Sequence, residues 1–224
     1  MHAMASSGNK ISNISTLADF QAAFGVSRET LDKLNLYESL LQRWQRTINL
    51  VAPATLTATW LRHFADSAQL ARFVPAKANL VVDLGSGAGF PGLVLAIMAE
   101  ERGGPRRFVL IESDQRKSAF LREVVRATGA AVEILSIRIE TPETHASVGL
   151  ADVVTSRALA PLERLLALAQ PYFGPDTLGV FPKGRGVDAE IETARRTWDF
   201  DVELEPSLTE SAARIALVRR PRLR

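Results

Sequence analysis

Asp83-Leu84-Gly85-Ser86-Gly87-Ala88-Gly89 places three glycines at alternate positions straight after an acid that ends an apolar run beginning at Leu80. Glycine at this spacing lets the backbone reverse through φ > 0, and it lets a ligand lie directly on the main chain where a Cβ would stand in the way. Phe90-Pro91-Gly92 then leads into Leu93, Val94, Ile97 and Met98 at helical spacing, with Pro91 as a first-turn residue that has no N–H to waste. A helix starting here offers unpaired N–H groups and the positive end of its dipole to a nucleotide-like ligand. A connector that binds nothing is the weakest reading, because glycines after a buried strand weaken it without a close approach to justify them.

Further residues of the same kind follow. A second apolar run, Phe108–Ile111, ends in Glu112, a carboxylate that can reach ribose hydroxyls from the tip of the adjacent parallel strand. Arg157 follows the run Ala151–Thr155 and puts a fixed cation at a strand's carboxyl end, where open parallel sheets bind ligands. Its purely structural alternative is an ion pair with Glu112 or Asp83. His63 and Asp66 lie three apart and share a face if helical, which invites a catalytic dyad. A histidine in that setting is more often a hydrogen-bonded structural residue.

These side chains need a parallel sheet to gather them, and the chain supplies its elements in order. Residues 1–15 are polar and expected to be unordered. The spacing predicts a helix over Thr16–Phe24 stopped by Gly25, a second from the Ser27 cap to about Arg46, and a third over about Thr57–Phe73. They form an N-terminal helical cap over residues 16–76, compact with a core over 77–224. In that core, strands are expected at Leu80–Asp83, Phe108–Glu112, Ala131–Leu135, Ala151–Thr155 and Leu178–Pro182. Helices are expected after Pro91, over Gln115–Thr128, after Pro161 to about Gln170, and over Asp188–Trp198; Val202–Glu205 and Arg214–Val218 form an antiparallel pair. Strands alternating with helices demand an α/β fold with a mostly parallel sheet covered on both faces.

Composition narrows the chemistry. The 224 residues fit one domain, and 46% hydrophobic with 23% charged residues is ordinary for a soluble globular chain. No stretch reaches the roughly 20 apolar residues of a membrane span, and the first residues lack a signal-peptide core, so the expected location is the cytoplasm. The absence of cysteine excludes thiolate catalysis and cysteine-ligated zinc, and the scattered His2, His63 and His145 argue against a metal site. Net charge is only +2, but arginine and lysine cluster over Arg116–Arg126 and at the C-terminus. A polyanionic partner and a solvated basic face are equally compatible with that clustering; Arg116–Arg126, Lys183 and Arg185 are the candidate phosphate contacts.

Gly87-Ala88-Gly89-Phe90-Pro91-Gly92 also parses as G-x-G-x-x-G, the fingerprint of an NAD-dependent oxidoreductase, although there the first glycine closely follows the strand, a place Gly85 already holds. Asp83–Gly89 more nearly resembles D-x-G-x-G-x-G, the first motif of class I S-adenosylmethionine-dependent methyltransferases. Asn49-Leu50, His63-Phe64-Ala65-Asp66-Ser67, Phe90-Pro91-Gly92, Arg138-Ile139-Glu140, Thr155-Ser156-Arg157-Ala158 and Pro182-Lys183-Gly184 sharpen it. In this order and spacing they resemble the RsmG (glucose-inhibited division B) family, methyltransferases of guanine N7 at one defined loop of bacterial 16S rRNA, over about Leu36–Val218.

The resemblance implies a class I, Rossmann-like methyltransferase with a mostly parallel seven-stranded sheet and an N-terminal helical cap. It implies S-adenosyl-L-methionine as cofactor and 16S rRNA as partner, naked or in a 30S particle, with no membrane and no metal. It carries cofactor contacts onto Gly85, Phe90, Ile139, Glu140 and Arg157, with Ile139 against the adenine and Glu140 at its polar rim. Asp83 and Gly87 join through the shared loop, and Glu112 through the general fold. Guanine N7 already holds an in-plane lone pair, so no general base is assigned, and Arg157 is the one catalytic candidate. A non-catalytic RNA-binding module is the alternative from a different class.

Overall fold

The computed structural model describes residues 14–224. Apolar runs rich in valine, leucine and isoleucine form five parallel strands: β1 (Leu80–Leu84), β2 (Arg107–Ile111), β3 (Val132–Leu135), β4 (Ala151–Thr155) and β5 (Phe173–Lys183). β6 (Trp198–Pro206) and β7 (Arg214–Leu223) complete one sheet in the order β3-β2-β1-β4-β5-β7-β6, with β7 antiparallel to both its neighbours. β6 is an edge strand and carries Asp199, Asp201, Glu203 and Glu205 at alternate positions. This is the mostly parallel, seven-stranded α/β sheet that the sequence resemblance leads one to expect.

The strands read as continuous apolar runs because both faces are covered. Val81 and Leu110 join one core with α4 (Gly92–Glu100), α5 (Gln115–Thr128) and the cap; Val82, Leu84 and Val109 join the other with α6 (Pro142–Val148), α7 (Leu162–Ala169) and α8 (Val187–Ala194). β1 has β2 on one side and β4 on the other, so the loops leaving β1 and β4 diverge. Divergence at this switch point opens a crevice at the strands' carboxyl ends.

In the cap, Thr16 and Asp19 form a capping box on α1 (Leu17–Phe24), which Gly25 ends at φ 63°. The Ser27 hydroxyl accepts from Thr30 N–H to start α2 (Arg28–Gln45), whose buried face includes Leu34, Tyr37 and Leu41. Residues 1–13 of the expected unordered N-terminus lie outside the described residues. Ile14 is buried, and Ser15 N–H donates to Asp19 Oδ2.

Three expected elements differ. The helix over Thr57–Phe73 is instead a 3-10 turn at Pro53–Ala58, a π-helical turn at Trp60–Ala65, α3 (Asp66–Ala68) and a second 3-10 turn at Gln69–Phe73. Its apolar spacing is satisfied by tighter and wider turns alike, and contacts to distant segments decide between them. The helix over Asp188–Trp198 stops at Ala194, because buried Trp198 pairs with Leu223 to open β6. β5 begins at Phe173 across an irregular register, and α6, with only Thr144 and Val148 buried, lacks the apolar stripe that would reveal it. Among the described residues no helix is long and apolar enough to cross a membrane, and no cluster of side chains is suited to hold a metal ion.

Candidate active site

Gly85, Gly87 and Gly89 take φ of 64°, 56° and 92°, so the loop after β1 uses the conformations that favour glycine. Ser86 closes it, donating N–H to Ile111 O (3.1 Å) and its hydroxyl to Asp83 O (3.0 Å). Glu112 at the β2 tip accepts from Gly87 N–H through Oε2 (2.8 Å) and from Asp114 N–H through Oε1 (2.7 Å), pinning the loop to the neighbouring strand. Tyr37 of α2 supports the loop from the cap: its hydroxyl donates to Ala88 O and its ring stacks on Phe90 at 5.2 Å. Burial holds the Tyr37 phenol well above its ordinary pKa, so it remains a donor.

These contacts revise the reason for the glycines. A Cβ at Gly89 would lie 2.6 Å from the Tyr37 hydroxyl, and one at Gly85 2.6 Å from Leu159 Cδ1. The protein's own packing already requires both. Gly87 has nothing nearer than 3.9 Å, which makes it the loop glycine most open to a ligand.

The loop borders an open cleft of about 950 Å³ that Gly85, Gly87, Phe90 and Arg157 all line. Arg157 turns to the cap rather than to Asp83 or Glu112, the partners considered from sequence. Its Nη1 donates to Arg62 O (3.0 Å) and Asp66 Oδ2 (3.3 Å), and its Nη2 to His63 Nδ1 (3.0 Å). Arginine has no acceptor, so Nδ1 must accept and the His63 proton sits on Nε2, donating to Thr55 Oγ1 (2.7 Å). Burial, reinforced by Arg157 and then Arg62, pushes His63 down to about 3. His63 is therefore neutral and makes no hydrogen bond with Asp66, so the two are not an acid–base dyad. Asp66 Oδ1 instead accepts from Thr209 Oγ1 (2.8 Å) and Gln69 Nε2 (2.9 Å), while Gln69 Oε1 accepts from Leu208 N–H (2.7 Å). The cap and the β6–β7 turn thereby lock into one wall. No local spacing signals Tyr37, Gln69 or Thr209 as part of the site.

The rRNA small subunit methyltransferase G family matches residues 30–216. The chain belongs to that family. Ribosomal RNA small subunit methyltransferase G of Rhodospirillum centenum is 53% identical over 192 residues, covering 86% of this chain and 85% of the relative. That of Parvibaculum lavamentivorans is 50% identical over 200 residues, covering 89% and 87%. Among solved structures, a putative O-methyltransferase from Klebsiella pneumoniae superposes with TM-score 0.54 at 17% identity, covering 84% of this chain and 89% of that one. The ribosomal protein L11 methylase from Lactobacillus delbrueckii gives 0.53 at 15%, covering 69% and 76%. At these identities the structures speak for the fold alone.

Asp83, Glu112, Ile139 and Glu140, four other candidate residues of this methyltransferase G family member, lie off the cleft's lining. Asp83 is 1% exposed; Oδ1 accepts from Thr155 Oγ1 (2.7 Å), and Oδ2 is the sole buried side-chain polar atom among the described residues without a partner. Burial raises its carboxyl to about 6, against the Thr155 hydroxyl that pulls it down. Asp83 and Glu112 thus stand directly behind the glycine loop. Ile139 packs in the second core and its carbonyl accepts from the Tyr172 hydroxyl (2.9 Å), while exposed Glu140 pairs with Arg138 (3.5 Å). Both sit beyond the β3 end. Lys183, a candidate phosphate contact, has a side chain only 8% exposed and donates to Ala160 O (3.0 Å) and Glu190 Oε2 (2.8 Å), so its charge is already spent inside the protein.

Proposed function

We propose that the chain transfers a methyl group from S-adenosylmethionine to N7 of a guanine in 16S rRNA, in the cytoplasm. The observation that carries this reading is the family match over residues 30–216, which spans both walls of the cleft.

The cleft suits such a cofactor. Its volume of about 950 Å³ is ample for a nucleoside-sized ligand, and Gly87 leaves main chain open to one. In this reading Gly85 and Gly87 give backbone access, Phe90 a ring wall, and Glu112 a carboxylate for ribose hydroxyls. Ile139 and Glu140 receive the adenine from the β3 side, and buried Asp83 acts on the cofactor's amino end only through the loop it supports from beneath. When bound, the cofactor supplies an electrophilic methyl group on a sulfonium.

The protein's task is then placement. Guanine N7 holds an in-plane lone pair that would accept the methyl group, so the residues here would need only to orient the base, and no proton would have to leave it. Neutral His63 and a network without a free base agree with that requirement. Arg157 lies beside a carboxylate, Asp66, which offsets its charge where a bare cation would repel a sulfonium. Its fixed guanidinium then orients the base, and placement of this kind can contribute roughly 7–11 kcal/mol. The test is methyl transfer from labelled S-adenosylmethionine to 16S rRNA and to 30S particles, with the modified nucleotide mapped by mass spectrometry. Label at guanine N7 is expected; label in neither RNA would overturn the substrate assignment.

A further inference from the structure

We propose that a second groove beside the cleft is the docking site for the single-stranded RNA backbone that flanks the target guanine, an inference that rests on the reading above. This groove, about 410 Å³, lies between the end of α2 with the turn after it, Gln45–Asn49, and the first turn of α5. Lys117 lines both cavities, and the chain from Gln45 to Ala52 runs along the groove and then along the cleft. One wall therefore continues from the methylation site into the groove.

Among the described residues, cations without an ion-pair partner line both cavities, Arg185 and Arg214 in the cleft among them, but the cleft also holds three that are paired. In the cleft, Arg62, Arg157 and Lys183 are paired with Glu210, Asp66 and Glu190. In the groove, neither Arg46 nor Lys117 forms an ion pair among the described residues. Arg116 meets Asp114 only at 3.8 Å and its side chain remains 75% exposed. Asp114 Oδ1 already accepts from Arg116 and Lys117 N–H, so the anion-seeking groups here are side chains and not the helix end. Cations without partners are what phosphates recruit.

The groove is also built in advance. Gln45 Oε1 accepts from Leu50 and Val51 N–H at 3.0 Å, and its Nε2 donates to Val51 O at 3.0 Å, which fixes the turn. Asn49 on that turn is exposed, and its amide makes no hydrogen bond among the described residues, leaving it for a sugar or a base edge.

The test is the double variant Arg46→Glu/Arg116→Glu, assayed for methyl transfer to 16S rRNA and 30S particles across a salt series. The expected result is a rise of about tenfold in KM for RNA and a log–log salt slope shallower by about 1.4, two single-strand phosphate contacts' worth. S-adenosylmethionine affinity should match the parent, which also shows that the variant folds, and Arg46→Lys/Arg116→Lys should restore most of the KM. Arg102→Glu/Arg106→Glu, at the amino ends of the strands, changes net charge equally and should leave KM near the parent's. An unchanged KM and slope in the first variant, with the parent active, would overturn the groove; so would an equal loss in the Arg102/Arg106 control. A parent that methylates no rRNA removes the functional reading and the groove with it.

Discussion

The two walls of the cleft are built on opposite plans. The glycine-loop wall is nearly contiguous in sequence, Asp83 to Gly92, and apart from Tyr37, which reaches it from the cap, its ties run within the loop or to neighbouring strands. The cap wall joins His63, Asp66 and Gln69 to Arg157 and Thr209, through hydrogen bonds spanning 91, 94 and 143 positions. Local chemistry thus shapes the surface on which a cofactor can lie, and tertiary chemistry sets the charge that faces it. The same contrast holds inside the loop: Gly87 faces open space, whereas Gly85 and Gly89 are held to glycine by Leu159 and Tyr37.

Substitutions on each wall can break that comparison. The largest effect is expected from Gly85→Val, which combines a φ of 64° with a collision at Leu159. Left-handed backbone alone disfavours a side chain by roughly 1–2 kcal/mol, so a displaced loop and at least about a hundredfold weaker S-adenosylmethionine binding are expected by calorimetry. Parent-like affinity would show that the loop wall does not carry the cofactor. Next is Arg157→Lys, which keeps the charge but cannot donate to Arg62 O, Asp66 and His63 together. Single-turnover methyl transfer should fall about tenfold or more with a smaller change in cofactor affinity. Equal losses in both would move Arg157 from the substrate to the cofactor side.

Tyr37→Phe sharpens the comparison because it touches the loop from the cap. It keeps the stacking on Phe90 and removes the hydroxyl's bond to Ala88 O. Loss of one such bond amounts to about 0.5–1.5 kcal/mol, a two- to tenfold rise in cofactor Kd. No change would make the cap irrelevant to the loop.

The smallest effect is in pH. His63 drops from 6.5 to about 3 on folding, so the unfolded chain binds its proton first and stability falls as pH decreases through that window. Asp83 rises from 3.8 to about 6, so it contributes stability at low pH that is lost as pH rises through 6. One acts from the cap wall and the other from behind the loop, and they oppose each other between about pH 4 and 6. Urea midpoints should fall more steeply on acidification in Asp83→Asn than in the parent, and less steeply in His63→Gln. Identical profiles would mean that neither group changes its pKa on folding.

How much of this was legible beforehand follows the same division. The glycine loop, α5 from Gln115 to Thr128 and β4 from Ala151 to Thr155 stand where spacing, caps and apolar runs place them, because each is specified by neighbours in sequence. Arg157 was visible as a strand-end cation. Its partners were not, since Asp66 and His63 face it only after the expected helix has widened into a π-helical turn. Trp198 suited a helix until β7 claimed it as a strand. Ile139 and Glu140 were suggested by family motifs alone, for nothing in their own spacing marks them.

The free edge of β6 has a bearing on how this protein behaves in company. An open strand edge is a template on which another chain can add its own strand. On β6 Asp199, Glu203 and Glu205, beside an Asp201 already paired with Arg220, would meet their counterparts if two copies paired edge to edge, and like charges directly opposite are repelled. The sheet is thus stopped by electrostatics where a barrel would be stopped by closure. Such an edge gives the sheet a built-in barrier to growing into ribbons of itself.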